Sequence, residues 1–422
     1  MAGMLRSGGA RRVLVVVWIV LCAVWYVKQN VVDALPTPGL SDFRYYYDAA
    51  RHVAHGESPY RTAEYVYPPL LACLLVAVAW LDYYTARWIW FLFSHVCFLA
   101  AAYLLWRRMG RGWIAAAAIA LVWAGGWAAA DIFPTGQPDA QLTLLMVVAM
   151  ARADWLQGAA VGAGFGLKLL PGVLGLLPPL ERSRHAMTAM AASAVVLTAV
   201  PWAAVAPLKG PAKPVNTDYA FGSPCVLSWS IPSVALRVIE PPGKDGRLPE
   251  DWINGWDLPR LHLSRLQKTV SLSAALAVLA AGVSALLLRT RGELNAEQVP
   301  IAGAALIALG MAASPIAWWH YQSMQYPAVA LLLCIALRER AWKRAAAGVV
   351  LGALLFPVPA GVLRFYYHQH ERWPDAPALM YFWTSVTPAA SLAIFGLLVS
   401  MLGRRAGKDR DRTEKSGAAI AA

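Results

Sequence analysis

Apolar residues in this chain fall in long unbroken runs and seldom alternate with polar ones. Val13–Val27, Trp88–Trp106, Ala189–Ala206, Ser271–Leu288 and Ser391–Leu402 are the clearest. A helix rises ~1.5 Å per residue, so a run near 20 residues matches the ~30 Å hydrocarbon core of a bilayer. Three polar stretches interrupt the pattern, at about 31–66, 207–268 and 364–377; the second is rich in Pro, Gly and charge (Pro241-Pro242-Gly243-Lys244-Asp245-Gly246). The pattern predicts an all-α polytopic membrane protein with about twelve transmembrane helices. One transmembrane domain is expected over 1–403, and its polar loops carry short interfacial helices. A charged tail, 404–422, is expected to be disordered. There is no internal repeat.

Composition agrees: 59% of the 422 residues are hydrophobic and 14% charged, against about a quarter charged in soluble domains. The net charge of +13 could suggest nucleic acid, but its placement argues against that partner. Arginine and lysine cluster in short links between apolar runs, at Arg11–Arg12, Arg107–Arg111, Arg182–Arg184, Arg289–Arg291, Arg338–Arg344 and Arg404–Lys415. Loops that stay cytoplasmic carry this bias. It places both termini inside and the three polar stretches outside. The first apolar run has no small-residue cleavage site after Val27 and is read as a retained span. Four of the five cysteines sit in apolar runs and only Cys225 in a loop, so no disulfide framework is implied.

Two threadings fit the first half. In one, Pro68–Leu81 crosses the membrane and strands Arg107–Arg111 outside. In the other, Pro68–Leu81 does not cross fully, and Gly158–Leu180 forms two half-helices broken at Lys168-Leu169-Leu170-Pro171-Gly172. The second keeps every arginine cluster inside and brings Thr135–Asp139 and Lys168 toward the outer surface; it is preferred, since broken helices are tolerated where they line a cavity.

The chemistry-bearing residues gather in these outer regions. Ser41 can cap a helix from Asp42 to His55, with Arg44 and Asp48 four apart and able to pair. Its tyrosines suit a helix lying on the membrane surface. A first-turn acid such as Asp42 is also an ordinary capping residue. Lys168 at a Pro-Gly break within an apolar run is costly unless used, or else snorkels. His320, beside Trp318 and Trp319, can meet a phosphate or sugar, or sit in an aromatic belt.

In order, these segments resemble glycosyltransferase family 87. They are Asp42-Phe43 followed by Tyr45-Tyr46-Tyr47 and Ala49-Ala50; Gly56-Glu57-Ser58-Pro59-Tyr60; Tyr67-Pro68-Pro69; Gly136-Gln137; Gly162 to Lys168 and Pro171; and Ser314-Pro315-Ile316-Ala317-Trp318-Trp319-His320. The likeness runs over about 40–330. Leu227–Ser233 departs from an Asn-Gln-Ser element that members often carry in the second outer loop, which leaves the acceptor open. The resemblance implies a GT-C-type fold and an inverting transfer of mannose from polyprenyl-phosphate-mannose to a glycolipid or lipoglycan hydroxyl. The α-1,2 linkage is favoured, at the outer face of a bacterial plasma membrane. It makes Asp42 the general base, with Asp48 or Asp139 as fallback acids. Lys168 and His320 would bind the donor phosphate, and Arg44, Tyr46, Gln137, Asp139 and Trp319 the substrates.

No metal or cofactor is expected. An Asp-x-Asp triplet occurs only at Asp409–Asp411 in the tail, and Walker A and Gly-x-Gly-x-x-Gly loops are missing. Arg364, His368 and His370 form a further polar cluster, read as a solvated face. Two rival readings remain: a polyprenyl-phosphate arabinofuranose donor, or a transporter of lipid-linked sugars. A transporter should place its ionisable groups near the bilayer midplane.

Overall fold

A computed structural model describes residues 8–36, 41–126, 129–151, 154–214, 217–225, 228–239, 261–355 and 384–402. The Arg364–Pro377 loop, the middle of the second outer loop and the charged tail lie outside the described residues. The chain is an all-α polytopic membrane protein. Among the described residues, five helices are long and apolar enough to cross a bilayer: Arg12–Val32, Tyr83–Arg108, Arg184–Val205, Arg265–Thr290 and Thr384–Leu402. Shorter apolar helices fill the spaces between them, including Pro69–Val78, Trp113–Gly125 and Val299–Ala313.

In chain order the helices are α1 (Gly8–Tyr26), which runs on through a wider turn to Val32, α2 (Asp42–Ala54), α3 (Pro69–Leu75), α4 (Tyr83–Arg108), α5 (Trp113–Gly125), α6 (Ala129–Thr135), α7 (Asp139–Ala151) and α8 (Trp155–Leu167). They continue with α9 (Leu177–Leu180), α10 (Arg184–Val205), α11 (Ile231–Ile239), α12 (Arg265–Thr290), α13 (Val299–Ala313), α14 (Tyr326–Arg338), α15 (Trp342–Leu355) and α16 (Thr384–Leu402). Every residue of α13 is buried, as expected of a helix that is apolar all round and central. α1, α4, α10 and α12 instead turn Val, Leu, Phe and Trp outward, as lipid-facing helices do.

Lipid tails are as apolar as leucine, so these helices associate through close packing. Glycine supplies it between α8 and α10: a Cβ on Gly158 would lie 1.9 Å from the Ala186 carbonyl oxygen, and one on Gly162 1.9 Å from Ser193 Oγ.

The helices alternate between two ends. At one, the basic links meet. Arg182 pairs with Glu293, Arg108 donates to the Ala296 carbonyl, Arg338 to that of Met109 and Arg289 to that of Ser400, 3.3 Å away. Arg111, Arg182, Arg291 and Arg340 in these links all have left-handed backbone, with φ of 53–55°, each just beyond a helix end. At the other end lie α2, the starts of α4 and α7, the ends of α8 and α13, and the turn Trp319–Gln325. The candidate residues collect there.

Candidate active site

α2 starts at Ser41, whose extended backbone (φ −143°, ψ 156°) makes it the N-cap residue. Its hydroxyl meets Tyr83 Oη at 3.0 Å instead of capping a helix N–H. Arg44 donates to Asp48 at 2.8 Å on the exposed face, as the spacing foretells. The tyrosines correct the expectation of a helix whose rings face the membrane. Tyr46 and Tyr47 are buried because their hydroxyls find protein partners, and Phe43 is buried beside them. Tyr47 donates to the Leu81 carbonyl at 2.6 Å and Tyr46 to Gln137 Oε1 at 2.9 Å.

Gln137 is the hub. Tyr67 also donates to its Oε1, at 3.0 Å, which fixes the amide so that Nε2 donates to Asp42 Oδ2. The turn before it depends on Gly136, whose φ is +76° and whose Cβ would lie 2.6 Å from Phe43 Cβ. Its carbonyl accepts from Trp90 Nε1 at 2.8 Å. Glycine therefore lets the α6–α7 turn lie flat against α2.

α8 breaks where Pro171 and the glycines predicted. It ends at Leu167, and Lys168 is extended (φ −159°, ψ 137°). The Lys168 ammonium donates to Asp139 Oδ1 at 3.1 Å and sits 3.3 Å from the centroid of the Tyr321 ring. Asp139 is fully buried and Lys168 nearly so. His320 lies between two carboxylates, with Nδ1 3.4 Å from Asp131 Oδ2 and Nε2 3.7 Å from Asp139 Oδ2. Burial pushes the Asp42 carboxyl above its ordinary range, and Asp131 adds to this; His320, Lys168 and the Gln137 hydrogen bond pull it back without cancelling the rise.

The Ser228–Ser233 segment, where the sequence departs from the family pattern, docks onto this site's back wall. Trp229 N–H donates to the Ala317 carbonyl at 2.8 Å, and Ser228 Oγ accepts from Ala317 N–H at 3.2 Å. Arg237 anchors the loop by donating to the carbonyls of Pro224, Cys225 and Ser228. An apolar cavity of about 420 Å³ opens beside the site between α3, α4, α7 and α8, with Leu74, Phe93, Leu145, Pro138 and Leu167 among its walls.

Asp42, Tyr46, Gln137, Asp139, Lys168 and His320 thus converge from four separate parts of the sequence, while Arg44 points to the other face of α2. Trp319 opens the turn before α14; its side chain lies outside the described residues. Asp131 and Tyr321 were not singled out from the sequence, and Tyr67 was quoted within a motif but given no role. Asp131 had a signal: it is the lone carboxylate in the otherwise apolar stretch from Trp113 to Phe133. The two tyrosines look like any interfacial aromatic until the fold places them.

Residues 65–212 match the model of Glycosyltransferase family 87. This is about a third of the chain, and narrower than the 40–330 over which the motifs run. The family 87 match takes in Tyr67, Asp131, Gln137, Asp139 and Lys168; Asp42 and His320 lie outside it. Over 142 residues the chain is 29% identical to GPI mannosyltransferase 1 of Aspergillus oryzae (strain ATCC 42149 / RIB 40), covering 32% of this chain and 34% of the relative. The chain therefore spans about a third of the length of the curated relative it matches. No solved structure matches significantly. Both matches are to glycosyltransferases, the second to a mannosyltransferase, and each covers about a third of this chain.

Proposed function

We propose that the protein is an inverting mannosyltransferase. It moves mannose from a polyprenyl-phosphate donor to a hydroxyl of a glycolipid or lipoglycan, with Asp42 as the general base. The observation that carries this reading is the held carboxylate of Asp42: half-buried, oriented by Gln137, and in electrostatic reach of both Lys168 and His320. The acceptor O–H attacks the anomeric carbon and its proton passes to Asp42, an assistance typically worth ~10²–10⁴-fold. The bond from the anomeric carbon to the phosphate oxygen breaks, and the phosphodiester leaves as a phosphomonoester. Lys168 and His320 stand where a cation and a hydrogen-bond donor can receive the charge that develops. A single base suffices for inversion, whereas retention by double displacement adds a nucleophile, so a β-linked donor yields an α-mannoside.

The apolar cavity beside Pro138 and Leu167 suits the first isoprene units of the donor, next to the phosphate-binding groups. The basic links gather at the opposite end, which under the positive-inside rule supports a site at the outer face and termini in the cytoplasm. Within this reading residues 1–403 are one transmembrane domain.

The test is transfer of radiolabelled mannose from polyprenyl-phosphate-mannose to endogenous glycolipid, in membranes expressing wild type or Asp42→Asn. The isosteric change keeps the Gln137 contact and removes the base. Transfer by wild type with a loss of roughly two or more decades in the variant supports the assignment. Equal rates would move the base to Asp131 or Asp139. No transfer by either, repeated with the arabinofuranose donor, would overturn the transferase reading.

A further inference from the structure

α2 has two working faces. One carries Asp42, Tyr46, Ala49 and Ala50 toward the bundle. The other carries Arg44, Tyr47, Arg51 and His55, spaced three and four apart, and with Ala79, Trp80, Leu81, Asp82 and Tyr83 it encloses a pocket of about 520 Å³. The charges there are arranged to receive an anion. Arg51 lies 5.9 Å over the Tyr47 ring and Arg44 4.9 Å over the Tyr83 ring. Arg44 is engaged by Asp48, but among the described residues no carboxylate lies within ion-pair reach of Arg51. The one acid in the wall, Asp82, is committed to the start of α4, where its Oδ1 accepts from Tyr84 and Thr85 N–H. His55 meets the Arg51 carbonyl through Nδ1 at 2.7 Å.

The rim identifies the kind of anion. The pocket opens at the start of a membrane-spanning helix, Tyr83–Arg108. Trp80 is 79% exposed there, and Tyr84 and Trp88 are 48% and 40% exposed. Amphipathic rings at the end of a span mark the headgroup level. A soluble anion has no use for that rim. A phospholipid does, since its phosphate reaches the arginines while its glycerol and upper chains lie against Trp80 and Leu81. We propose that this pocket binds the phosphodiester headgroup of an anionic membrane phospholipid, separately from the sugar donor and acceptor. Guanidinium groups bind phosphate in a paired, directional way.

The experiment uses the full-length protein in detergent and measures binding of dioctanoyl phosphatidylglycerol by native mass spectrometry, with dioctanoyl phosphatidylcholine and inorganic phosphate as competitors. Saturable phosphatidylglycerol binding that neither competitor displaces at equal concentration, weakened tenfold or more by Arg51→Gln, supports the site. Displacement by phosphate alone would reassign it to a soluble anion, and displacement by phosphatidylcholine to unspecific lipid; either overturns the proposal. Wild-type affinity in Arg51→Gln overturns it as well. The competition in wild type decides the matter even if the variant is poorly produced.

Discussion

Asp42 is held by one amide, and that amide is held by two phenols. Burial raises the Asp42 pKa and the Gln137 hydrogen bond lowers it. As the proposed base, Asp42 would work only when ionised, so kcat/KM should rise with pH through a midpoint above the ~3.9 of a free aspartate. Gln137→Leu removes a contribution favouring the ionised form, so the acid limb should move further up in pH. The lost hydrogen bond to a charge should also cost about ten- to a hundredfold in rate. A pH–rate profile reads both, and an unmoved limb would show that Gln137 does not position the base. Lys168 and Asp139 make a separate test. Lys168→Met leaves the buried Asp139 carboxylate with only the more distant His320 and should destabilise by up to ~3–5 kcal/mol, seen as a lower Tm. Adding Asp139→Asn should restore Tm without restoring transfer. If transfer returned with Tm, the lysine would be structural only.

At the level of elements, glycine decides what can approach what. Gly162→Leu would drive a side chain into Ser193 and Ala194. It should abolish the monodisperse peak in size-exclusion chromatography, whereas Gly396→Ala, with nothing within 4 Å, should behave as wild type. Much of this scale was legible in the sequence. Composition bias marked the spans, and Pro171 and its neighbouring glycines marked the break at Lys168. Ser41, Asp42 and the Arg44–Asp48 spacing marked α2. Which face of α2 turned inward was not legible, because tyrosine satisfies a membrane interface and a hydrogen-bonded core equally well. Only the arrival of Gln137 and Leu81 from distant parts of the chain decides it. Asp131 was overlooked for a related reason: its partner, His320, lies far along the chain.

Across the whole molecule, two ends differ in charge character. The positive-inside rule then predicts opposite labelling of two exposed positions. In intact cells a membrane-impermeant maleimide should modify Arg61→Cys, near α2, and leave Glu293→Cys untouched until the cells are opened. The reverse pattern would turn the site to the cytoplasm and remove the case for a lipid-linked donor.

The site also sets three carboxylates, Asp42, Asp131 and Asp139, against one ammonium and one imidazole. On the proposed chemistry, transfer does not change the total charge in the cavity. Asp42 becomes neutral as it takes the acceptor proton, and the departing phosphate gains one negative charge. The balance breaks only afterwards, when Asp42 returns its proton to water and a dianionic lipid phosphate faces the restored carboxylate. Resetting the base would then also expel the spent carrier, so that the enzyme's clock is a deprotonation rather than a hinge.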